Sequence, residues 1–146
     1  SPQPNLKLQA QPTPWSCVQT CLAMAMAVPV ADVVKVYGDK AMNCVSLWHA
    51  IQECRIEANQ FVFSPMIVSG WYFVAAPSLN KGGMMHQLLV HLDADFGCSG
   101  LTVLDPMALV DGEKAYAKDG SDLRSWSPPI LFIPGGSLPT RTNYCP

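Results

Sequence analysis

From Val18 onward, apolar side chains recur at Cys21, Leu22, Ala25 and Met26. This i, i+3, i+4, i+7, i+8 spacing belongs to a helix that buries one stripe. Ser16 reads as its N-cap, and Gln19 three residues later completes the S-x-x-Q form of a capping box, which sets Cys17 at the first helical position. Pro29 opens a second short helix through Val33, Val34 and Tyr37, with Gly38 as its stop. A third spans residues 46–55, with Leu47, Ile51 and Cys54 on one side. After Arg55 the pattern becomes that of strands. Segments 60–63, 71–75, 87–92, 100–104 and 130–133 are short, rich in β-branched or aromatic residues, and separated by Gly, Pro, Asn and Asp.

A helical front half followed by an antiparallel sheet is an α+β arrangement. The four prolines and several glutamines of residues 1–14 predict an extended arm. Residues 15–134 then form one domain, and 135–146 a surface tail. A length of 146 residues suits a single domain.

Composition narrows the function classes. Hydrophobic residues make up 49% of the chain and charged ones 14%, far from the signature of disorder. The formal charge of −2, with nine scattered basic residues, excludes the clustered Lys and Arg that nucleic acid requires. The longest apolar run, residues 21–31, is interrupted by Pro29 and is too short to span a bilayer, so no membrane insertion is expected. Residues 1–4 show neither the positive nor the apolar region of a signal peptide, which leaves the compartment open. The six cysteines contain no CxxC pair, and several lie in apolar stretches; a reduced chain without a metal site is expected.

Among those cysteines Cys17 stands out. A thiol attacks as thiolate, and the positive end of a helix together with a nearby histidine lowers its pKa. Three histidines are candidate partners. His49 falls in the third helix, whereas His86 and His91 flank one strand and, five residues apart, point to opposite faces. A general base also needs an acceptor on its second ring nitrogen. Asp105 supplies one if segments 87–92 and 100–104 pair as a hairpin, because residues 86 and 105 then fall opposite each other. That register selects His86 over His91. Asp105-Pro106 also reads as a plain turn, and both readings hold together. Gln11, six residues before Cys17, offers an amide for an oxyanion, with Gln9 as a close rival.

The block Gln11-x5-Cys17-Val-Gln-Thr-Cys21-Leu-Ala-Met24, followed by His86 and by Val-Leu-Asp105-Pro106, resembles the bacteriocin-processing peptidases that cut after double-glycine leaders, a branch of the papain-like superfamily. The resemblance runs from Gln11 to Pro106; Val18 stands where that family usually has Gly. It implies a nucleophile helix packed on a twisted antiparallel sheet that carries His and Asp. By it, Cys17 is the nucleophile, His86 the general base and acid, Asp105 the orienting carboxylate and Gln11 the oxyanion donor. Cys21 becomes a core residue.

The expected activity is therefore that of a cysteine peptidase acting on a peptide or protein, with no metal and no organic cofactor. The same residues would serve a deamidase or acyltransferase directed at a host or cognate protein. A catalytically silent binding module is the reading from another class, with Val18 as its sequence argument.

Overall fold

The computed structural model describes residues 5–59 and 66–140. Its first helix, α1 (Cys17–Met26), is buried at every position after Cys17, polar Gln19 and Thr20 included. The single stripe expected from periodicity is thus corrected to a helix enclosed on all sides. The donors at these polar positions find partners: Gln19 Nε2 donates to the carbonyls of Gly38 (3.0 Å) and Lys40 (2.7 Å), and Thr20 Oγ1 to Ser16 O (2.8 Å). The helix ends at Ala27, whose φ of 57° is left-handed, and Val28 N–H closes the turn onto Ala23 O.

Helix α2 (Val30–Tyr37) follows Pro29, which sits outside it as the N-cap, and stops at Gly38 with φ 78°. Asp32 near its start and Lys35 near its end both suit the helix dipole. Helix α3 (Cys44–Glu53) begins two residues before the expected Ser46. The reason is Asn43, which accepts from Ser46 N–H (2.9 Å) while Ser46 Oγ accepts from Asn43 N–H (2.8 Å). That reciprocal cap makes Ser46 the third residue of the helix rather than its start.

Among the described residues five strands follow: β1 (Glu57–Ala58), β2 (Gly70–Pro77), β3 (Met85–Leu92), β4 (Leu101–Leu104) and β5 (Ile130–Ile133). They form one antiparallel sheet in the order β1-β5-β2-β3-β4. With its three helices the molecule is α+β. The strand expected at 60–63 lies outside the described residues. Among the described residues no helix is long and apolar enough to cross a membrane.

Both sheet faces are covered, which explains why β2 and β3 are buried almost throughout rather than alternating. Trp71, Phe73, Leu89, Leu104, Ile130 and Phe132 pack with α1 and α3 on one side. Tyr72, Val74, Leu88 and Val90 meet Tyr116 and Leu123, from the irregular segment between β4 and β5, on the other.

The ends of the chain are less detached than composition implies. Leu6 and Leu8 of the arm pack on the helical core. Gln9 clasps the end of α1, its side chain donating to Val28 O (2.7 Å) and accepting from Val30 N–H (2.8 Å). In the expected tail, Gly135 N–H donates to Ala25 O and Ser137 N–H to Cys54 O.

Candidate functional site

Cys17 is the first residue of α1, half-buried at the end of the sheet where β3 begins. The expected Ser16–Gln19 capping box is absent. Ser16 instead bonds back to Thr13, accepting from its N–H and donating to its carbonyl, and Gln19 holds the 38–40 segment. No side chain therefore caps the first amides of α1, and their positive field is left to the sulfur beside them.

His86 lies in β3 opposite Ala76, and Asp105 follows β4 directly. The β3–β4 ladder runs from Leu92–Leu101 to Leu89–Leu104. Extended by one step, it would set Asp105 opposite Leu88, two residues from the expected position. An even offset keeps the face, and the carboxylate reaches diagonally to His86, with Nε2 to Oδ1 at 2.6 Å.

Asp105 is itself buried and held by three donors. Oδ1 also accepts from Met107 N–H (2.8 Å) and Oδ2 from Tyr116 N–H (2.8 Å). One carboxylate thus bonds both within the Asp105-Pro106 turn and to the His86 ring.

With Nε2 on Asp105, Nδ1 is the ring atom left for the hydrogen bond between His86 and Cys17. Burial pushes the Cys17 thiol up, but that bond, a backbone hydrogen bond with Gln87 and the imidazolium charge outweigh it and leave the thiol below its ordinary value. Burial pulls His86 down, and the bonds to Asp105 and Cys17 overcome it, placing the imidazole at about 9. Both shifts act in the same sense, favouring a thiolate–imidazolium pair over the neutral thiol and imidazole.

The alternative histidine sits elsewhere. His91 pairs with Trp71 and packs edge-on against its indole, ring centroids 5.0 Å apart. Burial lowers its pKa, with the Asp93 charge opposing, and its Nδ1 has no hydrogen-bond partner among the described residues. Trp71 shares the helix-side core, so strand alternation alone would have chosen His91 as the residue facing α1. His86 belongs by alternation to the other face. It is nonetheless the histidine that bonds Cys17, at the start of β3 beyond the last β3–β4 pair, Leu89–Leu104. His49 is exposed on α3.

Gln11 is buried and tied to the same loop, its N–H donating to Pro106 O (3.0 Å). Its Nε2 donates to Thr13 O (2.8 Å), which fixes the amide orientation and leaves one N–H for another acceptor. Gln9, at the far end of α1, is occupied by Val28 and Val30.

Cys21 is fully buried one turn below Cys17, its thiol donating to Gln87 O (3.5 Å), and burial pushes its pKa well up. Cys17, Cys21, Cys44 and Cys54 are free thiols. Among the described residues no group of three or more His, Cys, Asp or Glu could hold a metal ion.

Two features escape the sequence reading. Trp15, beside the nucleophile helix, lies under the Lys81 ammonium, 3.2 Å from the ring centroid, and Lys81 also donates to Pro14 O (3.3 Å). The β2–β3 loop thereby clamps the approach to Cys17. Beside the thiol a cavity of about 520 Å³ opens between the helices and the sheet. Only the Met84-Met85 pair just before His86 hinted at it. Trp71, Tyr72 and Trp126 lie outside its lining and serve the two cores. Compared with protein-family models and with curated proteins, the sequence matches none of either.

Proposed function

We propose that this protein is a papain-like cysteine peptidase, a thiol acyl-transfer hydrolase working on a peptide or protein. The observation that carries the reading is the chain of contacts Cys17–His86–Asp105, in which an acidified thiol at a helix start meets a histidine whose far nitrogen is fixed by a buried carboxylate. On this reading the helix-on-sheet arrangement is the papain-like one, and the similarity of Gln11, Cys17, His86 and Asp105 to the leader-peptidase pattern supports it.

The Cys17 thiolate attacks the carbonyl carbon of the scissile bond. The remaining Gln11 N–H and the uncapped amide of Cys17 hold the oxyanion. His86 gives its proton to the leaving amine, and then takes one from the water that releases the acyl group.

The test is alkylation with iodoacetamide at pH 7, located by mass spectrometry, together with cleavage of a peptide library. Cys17 should be modified ahead of exposed Cys44, and Cys17→Ala should abolish cleavage. Retained cleavage by Cys17→Ala, or Cys44 reacting first, rejects the reading.

A further inference from the structure

The cavity beside Cys17 is lined mainly by apolar side chains. Met42, Leu47, Phe73, Met84, Met107 and Ile130 line it, contributed by separate parts of the chain. Leu47, Phe73 and Ile130 are core residues, so the space runs deep between α3 and the sheet. Its volume of about 520 Å³ falls in the range of small-molecule sites.

The polar side chains on its walls are largely engaged by the protein itself. Ser78 Oγ accepts from the N–H groups of Asn80 and Lys81, and Asn80 brackets both backbone groups of Lys114. Ser127 Oγ accepts from Ala75 N–H, whose carbonyl accepts in turn from Ser127 N–H. Asn43 caps α3, and Lys81 is committed to Pro14 and Trp15.

A peptide threaded into this space would bring backbone amides that need partners, and burying them unpaired is costly. An aliphatic chain brings none. The thioether side chains are soft and unbranched, suited to a flexible chain of variable length.

We propose that this cavity is an acyl-chain site and that Cys17 also accepts linear fatty-acyl groups from thioester donors, an activity beyond peptide cleavage that rests on Cys17 being the nucleophile. The thiolate attacks the thioester carbonyl and forms a new C–S bond. The donor's C–S bond breaks, and its sulfur leaves with the proton of His86. Water, deprotonated by His86, then cleaves the acyl-enzyme to a free fatty acid and restores the thiolate.

Two measurements keep the chain site and the nucleophile apart. Dodecanoate binding to Cys17→Ala, followed by calorimetry, reads the cavity alone. Intact mass of the wild-type protein, incubated with coenzyme A thioesters of two to twelve carbons, reads acyl-Cys17. Dodecanoate should bind, and acylation should quicken about fourfold per methylene until the cavity is filled.

Ala41→Phe, on an exposed loop, and Ala75→Phe, on β2, should each cut the ratio of dodecanoyl to acetyl rates at least tenfold. Equal rates for all chain lengths with no dodecanoate binding overturn the proposal, as does a ratio untouched in both folded variants. Dodecanoate binding without any acyl-enzyme would keep the chain site and overturn the assignment of Cys17 instead.

Discussion

At the scale of single residues, Asp105 holds two jobs that substitution can separate. Asp105→Ala strips the acceptor from His86 and from the amides of Met107 and Tyr116. Leaving buried donors unpaired costs about 1–3 kcal/mol each, so the urea midpoint should fall clearly. Asp105→Asn keeps an acceptor oxygen but removes the charge that helps raise His86.

The alkaline limb of kcat/KM, expected near 9 in the parent, should therefore move to lower pH in Asp105→Asn, while the acid limb still follows the thiol. Stability has the same sign. A raised histidine contributes fully below its ordinary value of about 6.5 and loses that contribution as pH rises through about 9, so the stability gap between parent and Asp105→Asn should narrow over that interval. A gap that widens there would show that the His86–Asp105 bond does not require the imidazolium.

Single residues also show where sequence reading reaches its limit. Cys17 at a helix start and Asp105 near His86 were legible, because a change of period and a hairpin register are both local signals. The Ser16–Gln19 box was not, since a side chain that fits a cap can be drawn away by distant carbonyls, here those of Gly38 and Lys40. Nor was the meeting of His86 with Cys17, because alternation along β3 assigns His86 to the face away from α1.

At the scale of elements, Cys17 and its surroundings are held in place by residues outside the Cys17–His86–Asp105 chain. Gln19 ties α1 to the 38–40 turn, and the next residues, Ala41 to Cys44, line the cavity. Gln19→Ala should destabilise by about 2–3 kcal/mol in thermal or urea unfolding, through two carbonyls left unpaired and a small void. Gln19→Glu should not rescue it, because a carboxylate has no proton to donate to those carbonyls.

The β2–β3 loop acts from the other side through Lys81 over Trp15, a contact of about 0.5–1 kcal/mol at an exposed site. Lys81→Ala should raise KM severalfold and leave kcat nearly unchanged; a loss confined to kcat would place Lys81 in the chemistry instead. Strands β2 to β5 were readable as apolar runs between turn residues, whereas the two-residue β1, Glu57–Ala58, was not. The full burial of α1 was not, because periodicity reports one buried face and is silent when arm, helices and sheet close around a helix.

At the scale of the whole molecule, five strands and three helices place Cys17, His86 and Asp105 together from positions far apart in sequence. The α+β class followed from the order of helical and strand patterns, whereas strand order and cavity arise from pairings no local pattern encodes. Among these, β5 occupies the place between β1 and β2, although it is the last of the described strands in sequence.

That position governs timing during synthesis. Until residues 130–133 leave the ribosome, β1 lacks the strand it pairs with among the described residues, and the face of β2 beneath α1 lacks Ile130 and Phe132. Contacts this distant in sequence form late. The nascent chain should therefore carry an ordinary, slowly reacting thiol until its C-terminal strand docks. Chains stalled before residue 130 should resist a neutral-pH thiol probe at Cys17, and chains stalled well beyond 133 should react promptly, so that reactivity is acquired with the last strand.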